Sequence, residues 1–245
     1  MHKSLKDGLK AIIDTYKATV DAYQKNIKET FDELRPEFHR YTKEGLVELM
    51  EERVKPVMDA CEKASVVFNQ KFCLLVEDAE KDFIKQNTGK AVPDAPLKVN
   101  NVLHMIQMME PEKDEDLQMI MKEFVEADDF DHLKLFENLV GKSADLLDPQ
   151  GLSLFPSTFG RLHQYESVLN MFTELKEIGA DGLFLHKSDI FDGECSLSLS
   201  DGHGFQRVYG LPVMETYSET VGEQNAVELA EQIDSASREL NNESA

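Results

Sequence analysis

The stretch LKDGLKAIIDTYKATVDAYQKNIKETFDELRPEFHRY, residues 5 to 41, decides the fold that we predict for this chain. Its apolar residues follow one another at intervals of three or four positions, which is the spacing of one face of an α-helix. They are Leu5, Leu9, Ile12, Tyr16, Val20, Tyr23, Ile27, Phe31, Leu34, Phe38 and Tyr41. Because a proline inside a helix removes a hydrogen bond and bends or breaks the helix, we expect an interruption at Pro36.

A second run of apolar residues with helical spacing extends from Leu46 to Phe83. Its mean step lies nearer to an eleven-residue repeat than to a heptad, so a tight left-handed coiled coil is not predicted throughout. Pro56 should kink this helix. The run comprises Leu46, Met50, Val54, Val57, Cys61, Ala64, Phe68, Phe72, Leu75, Ala79 and Phe83. Together the two runs predict a long amphipathic helical hairpin or coiled-coil-like region over residues 1–88.

Part of the first stripe is the candidate partner-binding surface. Two isolated long helices bury little core per residue, and exposed apolar faces commonly mark interaction sites. The alternative to a purely intramolecular hairpin is therefore that this part of the stripe faces another subunit, and we expect a homo-oligomer. The candidate residues are Tyr23, Ile27, Phe31, Leu34 and Phe38.

Charge is distributed unevenly along the 245 residues, whose net charge is −21. Residues 1–90 carry 16 Lys and Arg against 17 Asp and Glu, whereas residues 91–245 carry 10 against 30, a balance of −20. Such a field repels nucleic acid and anionic membranes, so we expect neither as a direct partner. Any role at DNA would have to be indirect or mimetic.

The composition also bears on compartment and class. The three cysteines are scattered and form no CxxC pair, which favours reduced thiols in a cytosolic compartment over a disulfide framework. The charged N-terminus does not resemble a signal peptide, and no run of 18 apolar residues occurs. We therefore expect a protein that is neither secreted by a standard signal nor membrane-spanning. The cysteines are Cys61, Cys73 and Cys195.

Beyond the first 88 residues the pattern predicts shorter elements. The stretch NTGKAVPDAPLK, residues 87–98, reads as a linker that coincides with the shift in charge. Three short helices follow, with start signals at Asn100 or Asn101, Asp114, and Asp128 or Asp129. A helix over residues 158–178, stopped by Gly179, and another over 219–240 complete the helical set. The predicted domains are a long helical region at 1–88, a three-helix module at 97–142, and a region at 143–245 that combines helix, loop or hairpin, and C-terminal helix.

The stretch GLFLHKSDIFDGECSLSLSDGHGF, residues 182–205, concentrates side chains that could bind a metal. Its spacing matches no HxH, HExxH, CxxC or calcium-loop pattern, and Asp and Gly also serve tight turns. We interpret it as a polar loop, or a short β-hairpin near 181–217 in which SLSLS pairs with FQRVYG across Asp201 and Gly202. The candidate ligands weighed here are His186, Asp189, Asp192, Glu194, Cys195, Asp201 and His203.

Other catalytic signatures are missing from the sequence. There is no GxSxG nucleophile motif, no GxxxxGK[ST] or GxGxxG phosphate loop, and no EF-hand. The acidic stretch ADDFDHLK, residues 127–134, is better explained by helix capping than by cation binding. We therefore predict no catalytic, cofactor-binding or metal-binding residue, no cofactor and no enzymatic activity.

Two stretches carry a resemblance to a known class of proteins. They are KSLKDGLKAIIDTYKATVDAYQKNIKETFDELRPEF, residues 3–38, and LKVNNVLHMIQMMEPEKDEDLQMIMKEFVEADDFDHLKLFENL, residues 97–139. Their order resembles helical proteins encoded among the head-morphogenesis genes of tailed bacteriophages of Gram-positive bacteria. The resemblance implies a scaffold-like or capsid-associated role, with phage capsid or other virion proteins as partners, and no catalytic activity. It also implies a location in the host cytoplasm during assembly or in the virion.

Two other classes of function stay open. An acidic inhibitor could use region 91–245 as a mimic of DNA and block a host DNA-binding enzyme. An enzyme could use the loop at 186–203, although no motif favours it. The overall expectation is a mainly α protein in which the helical region is followed by a small helical domain.

Overall fold

The computed structural model describes residues 4–89, 92–109, 113–140, 155–180, 197–198, 208–209 and 221–242. Within these ranges the protein is mainly helical, which confirms that part of the predicted fold class. The helices are α1 Leu5–Leu34, a 3-10 helix Arg35–Arg40, α2 Lys43–Asn87, α3 Ala95–Met109, α4 Asp114–Ile120, α5 Lys122–Glu126, α6 Phe130–Val140, α7 Pro156–Ala180 and α8 Val221–Asn242. Within the same ranges, no helix has both the length and the apolar run needed to cross a membrane.

The helices are divided between two compact units. The first comprises Met1–Val76 and Leu175–Glu231, and the second comprises Glu77–Glu174 and Gln232–Ala245. Each unit therefore combines segments that are distant in the sequence, whereas the predicted domains at 1–88, 97–142 and 143–245 follow chain order. The predicted linker at 87–98 lies inside the second unit.

In the first unit, the N-terminal part of α1 packs on the later part of α2. The Tyr16 and Phe68 rings meet edge to face with centroids 5.3 Å apart, and Gly8 lies against the Leu75 side chain. Among the side chains that the structure describes, the buried ones of α1 are Leu5, Leu9, Ile13, Tyr16 and Val20, and those of α2 in this unit are Ser65, Phe68, Phe72 and Val76. The helical spacing thus predicted most of the buried positions, but Ile13 and Val76 are buried where Ile12 and Leu75 were expected.

Helix α1 ends at Leu34, just before Pro36, as the sequence predicts. Helix α2 continues through Pro56 without interruption. The kink expected at this proline stays a prediction.

Gly179 corrects one expectation. It lies inside α7, not after its end, and it is buried. A Cβ at this position would lie 2.5 Å from Cε1 and 2.8 Å from Cδ1 of Phe72. The glycine therefore permits close packing of α7 against the Phe72 ring and does not stop the helix.

In the second unit, short helices surround an aromatic and aliphatic core. Helix α3 begins at Ala95, before the start predicted at Asn100 or Asn101. Pro96 lies in its first turn, where the N–H that proline lacks would have no partner within the helix, so the proline is tolerated there. The predicted helix after Asp114 is interrupted at Met121 and forms α4 and α5. The core comprises Val92, Val102, Ile106, Leu117, Ile120, Met121, Phe124, Phe130, Leu133, Phe136, Val140, Phe155, Phe159 and Leu162.

Between α7 and α8 the described residues are two short strands. Strand β1, Leu197–Ser198, pairs antiparallel with β2, Val208–Tyr209, with Leu197 opposite Tyr209. The other residues of the region 181–217 lie outside the described residues, so the hairpin or loop insertion predicted there stays a prediction.

Candidate functional site

The predicted partner-binding residues lie on α1 and just beyond it. Tyr23, Ile27, Phe31 and Leu34 recur every three or four residues within α1, so their Cβ atoms lie on one side of the helix. Phe38 belongs to the 3-10 helix that follows. Tyr23 and Leu34 are half-buried, and the side chains of Ile27, Phe31 and Phe38 lie outside the described residues. The fold thus brings four of the five residues onto one helix face.

The surroundings of this face differ from the rest of the first unit. Between residues 21 and 62, each side chain that the structure describes is half-buried or exposed, whereas α1 before residue 21 buries five apolar side chains. The other sides of α1 here carry exposed charges such as Lys25 and Glu29, whose charged atoms are 3.7 Å apart. We call residues 21–62 the distal segment.

A second candidate site is a groove between α6 and α7, with a volume of about 370 Å³. Its central residue is Tyr165, whose ring stacks on Phe130 at 4.5 Å and on Phe83 at 5.4 Å between centroids. An ion pair between Lys134 and Glu166 lies along the same groove. The lining residues are Phe130, Asp131, Lys134, Leu162, Tyr165, Glu166, Leu169 and Asn170.

The ionisable groups of this α6–α7 groove favour binding over nucleophilic chemistry. Burial raises the pKa of the Tyr165 phenol, and the carboxylates of Asp131 and Glu80 raise it further. The hydrogen bond and the charge of Glu166 raise the pKa of Lys134. Both shifts keep the proton on the group at neutral pH, so the phenol can donate a hydrogen bond and the ammonium can offer a charge. Neither group is activated as a base or nucleophile.

Polar contacts join the helices around this groove. The guanidinium of Arg161 on α7 donates two hydrogen bonds to the Asp128 carboxylate, from Nε at 2.7 Å and from Nη2 at 3.0 Å. Asp128 has a φ of 50°, and a Cβ at Gly89 would overlap the carbonyl oxygen of Ala127. Gly89 therefore lets the backbone at 127–128 approach closely, which places Asp128 for its pairing with Arg161.

Two aspartates that the sequence marks as helix starts have different roles. Asp129 accepts a hydrogen bond from the backbone N of His132 at 3.4 Å, which is the capping contact expected at the start of α6. The side chain of Asp114 instead accepts hydrogen bonds from Ser157 and Thr158, 43 and 44 residues away, and so caps the start of α7. Sequence spacing could not reveal this pairing, because capping rules describe local contacts.

The described part of the chain contains no group of three or more His, Cys, Asp or Glu side chains arranged to hold a metal ion. The histidines, acidic residues and cysteine weighed in the loop at 182–205 lie outside the described residues. Our interpretation of that loop as structural stays a prediction.

The α6–α7 groove was not predicted from the sequence. One signal was present, because Phe130 and Lys134 are four residues apart on α6, and Leu162, Glu166 and Asn170 follow the same step on α7. The pattern does not say which two helices lie side by side, and only the tertiary structure pairs them.

No protein-family model, curated protein or solved structure matches this chain.

Proposed function

We propose that this protein is a non-enzymatic structural or assembly protein of a tailed bacteriophage, scaffold-like or capsid-associated. It acts through helix-mediated self-association and through binding to phage capsid or other virion proteins. In this proposal α1 and α2 form a helical hairpin whose distal segment is the interaction surface. The phage assignment is supported by the sequence resemblance, and the self-association is supported by the burial pattern of the two helices.

The observation that carries the self-association proposal is the contrast in burial along α1. The apolar stripe continues from Leu5 to Leu34 at helical spacing, yet among the side chains of the stripe that the structure describes, the last buried one is Val20. In the distal segment Tyr23 and Leu34 are half-buried, and Tyr41 is 36% exposed. Apolar residues of the stripe that are not buried in the core of the first unit form a surface that a partner can cover.

The physical reason for association is the burial of this apolar surface. Apolar surface removed from water contributes about 25 cal/mol per Å², and a fully buried leucine or phenylalanine about 1.5–3 kcal/mol. Several such side chains from each of two copies can offset the cost of bringing the copies together. Tyr23, Phe31 and Leu34 are the residues that we expect to carry most of this energy.

The test is the mass of the chain in solution with and without this surface. We expect light scattering at tens of micromolar to give a dimer or larger assembly. The double variant Phe31→Ser and Leu34→Ser should reduce the mass towards that of a monomer. The matched control is Leu74→Ser, which removes a leucine that is 58% exposed on α2 outside the distal segment, and it should leave the mass unchanged. A wild type that is a monomer, and that remains a monomer when residues 1–45 are deleted, would contradict the proposal.

The virion role needs a separate experiment. A portal or major capsid gene beside the coding sequence would place the protein in head assembly. We then expect coexpression with that capsid protein to yield a complex that the Phe31→Ser and Leu34→Ser variant does not form. If the wild type and this variant are both absent from the assembled capsid proteins, the virion role is wrong.

The charge of the chain supports a second candidate function. Region 91–245 carries the balance of −20 described above, so an acidic mimic of DNA that inhibits a host enzyme remains the alternative. Its affinity for a basic partner should fall steeply with salt, since it would depend on exposed charges. An assembly contact through Phe31, Leu34 and Phe38 should be much less sensitive to salt. If the protein binds a DNA-processing enzyme in host lysate at low salt and loses it at moderate salt, the inhibitor would become the preferred function.

A further inference from the structure

Helix α3, Ala95–Met109, has an unusual composition for this chain. Asp and Glu make up 47 of the 245 residues, so a 15-residue segment of average composition would contain about three. Helix α3 contains none. Its single Lys or Arg side chain, Lys98, forms an ion pair with Glu123 of α5. The helix is therefore a segment without acidic side chains in a strongly acidic protein.

The side of α3 that faces away from the core exposes large apolar side chains. Val102 and Ile106 are buried in the second unit, while the opposite side exposes Leu97 to 66% and Met108 to 72%. A surface helix of a globular protein normally has a polar outer side, and a helix that is apolar all round is normally covered. The outer face of α3, as we define it, consists of Leu97, Asn101, His104, Met105, Met108 and Met109, all of them exposed. The exposed polar residues Asn100 and Gln107 border it.

The chemistry of the outer face of α3 suits contact with an identical surface. In a twofold contact each patch meets its own copy, so charged patches repel and neutral ones do not. The amide of Asn101 both donates and accepts hydrogen bonds and can pair with the same group of a second copy. Methionine side chains are flexible and adapt to one another at a contact.

The acidic surroundings restrict where a second copy can approach. Residues 91–245 carry nearly all of the net charge of −21, so close approach of two copies through this region places acid against acid. The screening length at physiological salt is about 8 Å, so only charges close to a contact oppose it. The outer face of α3 offers a strip about 22 Å long, at 1.5 Å per residue, without an acidic side chain.

From these observations we propose that the outer face of α3 binds the same face of a second copy of this chain in a twofold contact. This inference does not depend on the phage role, and it concerns a surface separate from the distal segment. One helix face is smaller than the roughly 800 Å² per partner of a stable interface, so the contact is weak by itself. It gains strength where another contact already holds the copies together.

Photo-crosslinking of the purified full-length chain tests the geometry. A benzophenone amino acid is incorporated at position 101, in the middle of the outer face of α3, and in a second preparation at Gln118 on α4, which is also exposed. We expect a covalent dimer from position 101 whose crosslinked peptides join α3 to α3, and little dimer from position 118. A dimer that joins α3 to another segment, or no dimer at the highest concentration tested, overturns the proposal.

A pair of charge variants tests the energetics by sedimentation equilibrium. Met108→Glu places two carboxylates at the twofold contact and should weaken α3-mediated association at least about tenfold, since like charges at an interface cost several kcal/mol. Glutamate and methionine have similar helix propensity, so the fold should be retained. Leu74→Glu adds the same charge at an exposed leucine of α2 and should have little effect, and Met108→Leu should associate like the wild type. Equal weakening by Met108→Glu and Leu74→Glu would contradict a specific surface.

The two surfaces of this protein can be distinguished by combining variants. If Phe31→Ser and Leu34→Ser abolish association while Met108→Glu does not, the distal segment carries self-association and the α3 inference is wrong. If the α3 crosslink and the effect of Met108→Glu persist in the Phe31→Ser and Leu34→Ser background, the α3 contact stands even where the proposed function fails.

Discussion

The carboxylate of Asp114, in the first turn of α4, caps the N-terminus of α7 through Thr158. Oδ1 of Asp114 accepts hydrogen bonds from the backbone N of Thr158 at 3.1 Å and from its Oγ1 at 2.7 Å, and Oδ2 accepts one from the backbone N of Ser157 at 2.6 Å. The first N–H groups of a helix have no partner within the helix, and a carboxylate also favours the positive end of the helix dipole. One side chain therefore joins the starts of two helices in the second unit.

Replacement of Asp114 by alanine should lower the free energy of unfolding by about 1–2 kcal/mol, the usual cost of losing an N-cap. Asp114→Asn should cost less, because the amide oxygen can still accept. The control is Glu115→Ala, which removes an exposed acid from the same turn of α4 and should change stability by less than about 0.5 kcal/mol. Urea unfolding measures all three variants, and equal losses for Asp114→Ala and Glu115→Ala would show that the cap contributes nothing specific.

Two glycines of α7 should respond to alanine in opposite directions. At Gly179 the new Cβ would lie 2.5 Å from Cε1 of the Phe72 ring, so Gly179→Ala should destabilise the protein by about 1–3 kcal/mol through overpacking. At Gly160 nothing lies within 4 Å of the new Cβ, so Gly160→Ala should stabilise it by about 0.5–1 kcal/mol through helix propensity. Thermal unfolding decides the signs, and a stabilised Gly179→Ala variant would mean that α7 does not pack closely on Phe72.

Replacement of Arg161 by lysine should lower the free energy of unfolding by about 1 kcal/mol or more. The reason is that an ammonium cannot reproduce the two parallel hydrogen bonds that the guanidinium donates to Asp128. Arg238→Lys is the matched control, because Arg238 is exposed on α8, and it should stay within about 0.5 kcal/mol of the wild type. The same loss in both variants would contradict a specific role of the Arg161–Asp128 pair.

Tyr165 should ionise late in an alkaline titration. Burial, and then the charges of Asp131 and Glu80, raise the pKa of its phenol above the ordinary value of 10.0. Because the folded-state pKa is the higher one, the contribution of this group to stability is complete below pH 10 and is lost as the pH rises through the folded-state pKa. Ultraviolet titration of the folded protein should show a late phenol that Tyr165→Phe removes. Asp131→Asn should lower the pKa of that phenol only part of the way towards its ordinary value, since burial is the larger cause of the shift. A titration curve that Tyr165→Phe leaves unchanged would reject the assignment.

Helical periodicity was the reliable part of the sequence reasoning. Burying one face of a long helix requires apolar residues every three or four positions, so the stripe of α1 could be read directly as far as Val20. The exchange of Ile12 for Ile13 shows the limit of that reasoning. Two adjacent isoleucines satisfy the spacing equally well, and the packing of α1 on α2 decides which one is buried.

Local signals failed where a residue acts on a distant segment. The sequence pattern predicts a linker residue at Pro96 and a helix stop at Gly179, because proline and glycine commonly interrupt helices. In the structure Pro96 lies in the first turn of α3, and Gly179 makes room for Phe72. The α6–α7 groove was missed for the same reason, because its walls come from helices that the sequence does not pair.

The sequence by itself determined that this protein is mainly helical, that its acidic charge is concentrated after residue 90, and that an apolar stripe runs along its first long helix. These properties follow from the order of side chains within single segments, where spacing and charge act over one or two turns. Only the tertiary structure decided that Tyr23 and Leu34, which follow Val20 in the stripe, are half-buried, that Asp114 caps α7, and that α3 exposes Leu97 and three methionines on a face without acidic side chains. Those relationships depend on which segments meet, and that is settled by packing and desolvation summed over the whole chain.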